Sequence, residues 1–309
     1  MNTASKLGAY AVGLAVVFGG ALGVGNAFGE GTPAPAPPSH GSAHTTPTQA
    51  GAKPQDDTPG GLQVSQNGYT LNPLTTVKTG EPTDFRFTVT GPDGKPVTDY
   101  QVQHDKKLHF IVVSRDLATF QHLHPEQAGD GVWSVKLTLD APGAYRAFAD
   151  FAPAGGSGLT LGMDVPVAGD YAPRALPAVS RTAQVDGYTV TLTGDLVPGQ
   201  ASKLTLSVSK DGKPVTDLQP YLGAYGHLVA LRAGDLAYLH VHPEESDKAG
   251  PEITFYAEVP SGGDYRLFLD FQHAGKVRTA DFTARAGAGQ PKPAAEPSVS
   301  PSHGDDHKH

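Results

Sequence analysis

Six histidines of this chain fall into two sets of identical spacing: His109, His122 and His124, then His227, His240 and His242. In each set the gaps are 13 and 2 residues, and Pro-Glu follows the last histidine. Three imidazoles at one place suit zinc or oxidised copper, with water or a carboxylate completing the shell. Asp150 and Asp270, in a repeated Asp-Phe pair, and Glu126 and Glu244, after the prolines, are candidates for that fourth or supporting position. The chain has no cysteine, and its one methionine beyond the initiator is Met163, so reduced copper, which prefers thiolate and thioether, is a poorer match. The lack of cysteine also excludes disulfides and thiol catalysis.

Spacing carries geometry as well as chemistry. "LHFIVVS" around His109 and "ATFQHLHPE" around His122 are apolar runs separated by the polar pair Arg115-Asp116, as in a β-hairpin. Residues two apart on a strand share a face, so His122 and His124 project together. His109 joins them if the hairpin sets it opposite either ring, and a slip of one residue turns it away. The bland reading of the same residues is a set of half-buried rings that hydrogen-bond to backbone, copied by duplication. His104 and His273 occur in one copy only and read as surface histidines in loops. His40, His44, His303, His307 and His309 lie in low-complexity segments and can capture metal only loosely.

The elements that must position the histidines repeat too. "NGYTL" at Asn67 matches "DGYTV" at Asp186, "DGKPVTD" occurs at Asp93 and Asp211, and "AYRAFADF" from Ala144 matches "DYRLFLDF" from Asp264. The offset stays between 118 and 120 residues, so the chain holds two copies of one module, at 62–168 and 182–286. Phe85, Phe87 and Val89 alternate with polar residues, as do Trp133, Val135, Leu137 and Leu139, and the second copy keeps the pattern at Leu204, Leu206 and Val208. That period of two, broken by Asp-Gly and Pro-Gly turns, predicts an all-β fold of two tandem immunoglobulin-like β-sandwich modules.

Outside the modules, Leu7 to Phe28 carries no charge and is close to the length of a membrane-spanning helix. It reads as a transmembrane anchor or, with Gly25-Asn26-Ala27 as a cleavage site, a signal segment. In both cases the modules are expected outside the cytoplasm: at the cell membrane as a single-pass protein, or secreted. Residues 29–61 and 287–309, rich in Pro, Gly, Ala and Ser, read as a disordered linker and a disordered tail. The formal net charge of -8 gives no basic footprint for nucleic acid. No Ser-His-Asp pattern or phosphate-cradling Gly loop is present, so no enzymatic activity is expected.

At "LHFIVVSRDLATFQHLHPE" and "GHLVALRAGDLAYLHVHPE" the chain resembles bacterial secreted or membrane-anchored proteins described as heavy-metal-binding-domain proteins. The resemblance covers both modules and implies metal handling outside the cytoplasm. The leading expectation is therefore a membrane-tethered buffer or carrier of copper(II) or zinc, with a metal ion as its partner. The alternative is a non-catalytic cell-surface structural or interaction module whose histidines are structural.

Overall fold

The computed structural model describes residues 58–287, His240 apart. The apolar segment 7–28, most of the linker and the tail from 288 lie outside the described residues, as does His240. Both modules lie within one compact unit.

Module 1 has nine strands: β1 (Ser65–Gln66), β2 (Tyr69–Pro73), β3 (Thr83–Thr90), β4 (Leu108–Ser114), β5 (Phe120–Leu123), β6 (Glu126–Gln127), β7 (Val132–Leu137), β8 (Gly143–Phe151) and β9 (Leu159–Val167). They form two antiparallel sheets, ordered β1-β2-β3-β7-β6 and β5-β4-β8-β9. Module 2 has ten: β10 (Thr182–Val185), β11 (Tyr188–Thr193), β12 (Ala201–Lys210), β13 (Lys213–Pro214), β14 (Gly226–Arg232), β15 (Tyr238–Leu239), β16 (Val241–Pro243), β17 (Glu252–Glu258), β18 (Gly263–His273) and β19 (Lys276–Ala286). Its sheets run β10-β11-β12-β17-β16, with β13 on β12, and β15-β14-β18-β19. Among the described residues there is no helix. The described residues form a pair of β-sandwiches.

Alternation fills each sandwich. Phe85, Phe87, Phe110, Trp133 and Phe151 meet between the sheets of module 1, and Tyr188, Leu206, Phe255, Phe271 and Phe282 between those of module 2. Each module also has a tyrosine hydroxyl that donates to a carbonyl four residues back, Tyr145 to Ala141 (2.9 Å) and Tyr265 to Ser261 (2.7 Å), the corner that braces immunoglobulin-type sandwiches.

The strands that carry His109 and His227 break the alternation. All seven residues of β4 are buried, and so are six of the seven in β14. Leu108, Phe110 and Val112 enter the core of module 1, while Ile111 and Val113 point the other way and meet Val229, Leu231 and Phe268 of module 2. Phe120 stacks on Phe268 with centroids 4.2 Å apart and planes 7° from parallel. The two sandwiches are thus pressed together through the outer faces of β5-β4-β8-β9 and β15-β14-β18-β19.

Two connecting segments reinforce the junction. Leu176, in the segment between the modules, packs on the shared apolar cluster, and the Arg174 N–H donates to Asp116 Oδ2 (2.8 Å). Ahead of β1, Gly60 O accepts from the Tyr238 N–H of module 2 (2.9 Å), and the Gly61 N–H donates to Thr160 O of module 1 (2.8 Å). Arg146 clamps the same segment by donating to the Gly61 and Leu62 carbonyls. Gly61 has a φ of 72°, and a Cβ there would stand 2.4 Å from Phe148, so this crossing needs glycine.

Phe268→Ala would empty the centre of the junction. The expected cost is about 3–5 kcal/mol of stability, checked by chemical denaturation, and calorimetry should resolve separate transitions of the two modules where the parent chain gives one.

Candidate metal centre at the module junction

Pairing on β4 and β5 sets the register of the histidines. Ile111 stands opposite His122 and Phe110 opposite Leu123, so His109, Ile111 and His122 share the face turned toward module 2. His124 follows directly after β5. Ring nitrogens of His109, His122 and His124, one from each, all lie within 4.8 Å of one another. Ring centroids are 5.4 Å apart for His109 and His122, 5.2 Å for His109 and His124, and 4.8 Å for His122 and His124.

Module 2 reaches into this group. On its facing sheet His227 stands opposite Asp270, as His109 stands opposite Asp150 in module 1. Asp270 Oδ2 accepts from His122 Nδ1 at 2.8 Å, and both side chains are buried, at 6% and 5% exposure for His122 and Asp270. The Thr279 hydroxyl donates to Asp270 Oδ1 at 2.5 Å. His109 Nε2 donates to the Gln103 carbonyl (3.1 Å), and His227 Nε2 donates to the Tyr221 carbonyl (2.7 Å). The two carbonyls begin matching turns with positive φ at both central residues, His104-Asp105 and Leu222-Gly223, the geometry of a type I′ hairpin.

These hydrogen bonds fix the tautomers. A backbone carbonyl and a carboxylate can only accept, so the proton of His109 sits on Nε2 and that of His122 on Nδ1. With both rings in these tautomers, the facing nitrogens, His109 Nδ1 and His122 Nε2, meet at 3.1 Å as two lone pairs. His124 Nε2 is buried without any hydrogen-bond partner. A separation near 3 Å is what two ligands on one ion have when each metal–nitrogen bond is about 2.0–2.1 Å. Outer nitrogens tied to a carbonyl and a carboxylate are also the usual support of ligating histidines. The residues present therefore fit a metal ion with borderline, imidazole-loving chemistry.

Burial keeps the His109, His124 and His227 rings neutral. It pushes the His109 pKa down to about 4, against the opposing bond to the Gln103 carbonyl, and the His122 ring adds to the depression. For His124 burial and the neighbouring His122 and His109 rings bring it to about 3. For His227 burial brings it to about 4, opposed by its bond to Tyr221. Neutral rings at neutral pH are the form that binds metal.

The remaining sequence candidates lie outside the triplet. Asp150 accepts from Thr160 Oγ1 (2.8 Å) and lines, with His104, His109, His122, His227 and His242, a cavity of about 1060 Å³ between the modules. Glu126 is exposed on β6, in the other sheet of module 1, opposite Ser134. His242 is exposed on β16, which pairs with β17 in the far sheet of module 2, and Glu244 beyond it faces Tyr256 and Lys203. Among the described residues the two triplets are therefore not equivalent: the chain of module 2 has changed sheets before His242, whereas that of module 1 changes after His124. His104, which has no repeat counterpart, is exposed but sits at the mouth of the cluster, its ring centroid 5.3 Å from that of His227 and 6.2 Å from that of His109. His273 belongs to a separate group, bonded to the Tyr188 hydroxyl (2.7 Å) and Asp217 (3.1 Å).

The model of a family described as "Domain of unknown function (DUF8832)" matches residues 63–169 and again 183–288. No curated protein matches the chain. Among solved structures, domains 4 and 5 of the S-layer protein SbsC align at 12% identity over 73% of this chain and 100% of that one, with a TM-score of 0.22. MtrC from Shewanella baltica OS185 aligns at 10% identity over 71% and 70%, with a TM-score of 0.24. An I-band fragment of titin aligns at 10% identity over 71% and 64%, with a TM-score of 0.19. Likenesses this distant carry no argument about function.

The depressed histidine pKa values give a test of the geometry without metal. His109 and His124 take up protons near 6.5 in the unfolded chain but only near about 4 and about 3 in the folded one, so their contribution is complete above about pH 6.5 and is lost as pH falls toward 4. The melting temperature of the metal-free chain should fall over that range, and less steeply in His109→Leu, which removes one of the titrating rings. Identical pH profiles for the two proteins would show that His109 is not held neutral by its surroundings.

Proposed function

We propose that this chain, which belongs to the DUF8832 family and carries the family's domain twice, is a non-catalytic extracytoplasmic protein that binds copper(II) or zinc at the junction of its two modules. The observation that carries the reading is the convergence of the His109, His122 and His124 ring nitrogens within 4.8 Å. Two of those rings have their outer nitrogens committed to the Gln103 carbonyl and the Asp270 carboxylate. Three imidazoles with no thiolate select zinc or oxidised copper over reduced copper, and Met163, the one available thioether, is buried in the core of module 1. A location outside the cytoplasm is supported by the uncharged stretch 7–28 followed by a Pro- and Gly-rich segment. Such a protein would buffer or carry the ion from a tether at the membrane.

A second reading has its own observation. The buried bond between His122 and Asp270 ties module 1 to module 2, so the same rings could serve as a structural clasp in a surface protein that binds a macromolecular partner.

Calorimetric titration of the full chain with zinc and copper(II), set beside His124→Ala, separates the two. One tight equivalent is expected in the parent chain and missing from the variant, above a weak background from the terminal histidines that both proteins share. Equal titrations of the two proteins would leave the clasp as the role of the cluster.

A further inference from the structure

Three ligands leave a four-coordinate ion one position short, and the side of the cluster that faces away from module 1 is occupied by module 2. Three of its side chains stand there: Tyr221, whose ring centroid is 6.1 Å from that of His124, Asp270 and His227. Asp270 is committed, with Oδ2 on His122 and Oδ1 on Thr279. His227 is not. Its Nε2 donates to the Tyr221 carbonyl, which leaves Nδ1 as a lone pair, and its ring lies 6.3 Å from His122 and 6.4 Å from His109. It is also the repeat counterpart of His109, held by the same kind of turn carbonyl six residues back.

We infer that His227 is the fourth ligand, so that a single ion is gripped by both modules and its binding draws them together. The inference rests on the metal reading above. Ring separations around His227 exceed those within the module 1 group, so loading the site requires the facing sheets to close slightly around the ion. The junction is suited to that: its apolar cluster of Ile111, Val113, Phe148, Val229, Leu231 and Phe268 is continuous with the histidines on the same two sheet faces. Metal occupancy would then be read out as the rigidity of the module pair, a signal available to whatever contacts either module.

The test uses the full chain in detergent, zinc as the probe, and four proteins: the parent, His124→Ala, His104→Ala and His227→Gln, whose amide keeps a donor for the Tyr221 carbonyl. His227→Phe replaces His227→Gln if the latter melts early without metal. Affinity is read by calorimetry and the junction by hydrogen exchange. The expected result is at least about a tenfold loss of zinc affinity in both His124→Ala and the His227 variant, none in His104→Ala. In the parent, zinc should slow exchange in both Leu108–Ser114 and Gly226–Arg232; in the His227 variant, protection of the second stretch should disappear. Parent-like affinity in the His227 variant alongside a loss in His124→Ala would overturn the shared site and leave a metal centre belonging to module 1 alone. A loss in His104→Ala with none in the His227 variant would do the same. Parent-like affinity in His124→Ala would remove the metal reading itself.

Discussion

The structure depends on burying β4 and β14 on both faces. A strand in a sandwich ordinarily has one wet side, but here the outer sides of two equivalent sheets are pressed against each other, with Ile111, Val113 and Phe148 on one and Val229, Leu231 and Phe268 on the other. The strand "LHFIVVS" is accordingly apolar almost throughout, as expected where neither face meets water. His109 is the second residue of that strand, and His227 the second of its counterpart. They lie at one end of the dry layer. Everything distinctive about the histidines follows from that position.

Dryness sets their chemistry. A buried ring is costly to charge, and a buried polar atom is costly to leave unpaired. Backbone carbonyls at two hairpin turns and one carboxylate from the opposite module satisfy the outer nitrogens, which forces the inner nitrogens to present lone pairs to each other and leaves His124 Nε2 with nothing. That arrangement is poor for a closed hydrogen-bond network and good for a cation. The acceptor atoms are held by the fold before any ligand arrives, so a metal would find its site largely organised.

The junction is built from the same strands of both copies, the pattern expected of a two-fold dimer that has been fused into one chain. The turns at Gln103 and Tyr221 match, as do the pairs His109 with Asp150 and His227 with Asp270. The copies part where the chain crosses from one sheet to the other. In module 1, β5 stays on β4 through Leu123, while in module 2 the residues from Val241 already pair with β17. One histidine word therefore gathers in the buried cluster, and the last histidine of the other stands exposed on the wall of the same cavity.

The sequence alone determined the repeat, the all-β class and the chemistry on offer, because these are local: alternation at Phe85, Phe87 and Val89, Asp-Gly turns, and imidazole without thiolate. The hairpin of "LHFIVVS" and "QHLH" was legible for the same reason, with two apolar runs and a polar turn between them. The choice of which face His109 takes was left to register, and register was decided by the partner across the junction, since only packing against module 2 makes the Ile111 side a buried one. His104 and the cross-module role of Asp270 were not legible at all. Contacts between residues 148 apart, such as His122 with Asp270, arise from how two finished sandwiches dock, and no spacing along the chain encodes that. The sheet change that separates the two histidine words is likewise a tertiary decision: "HLHPE" and "HVHPE" offer the same strand and the same proline, and only the neighbouring strand determines which sheet receives them.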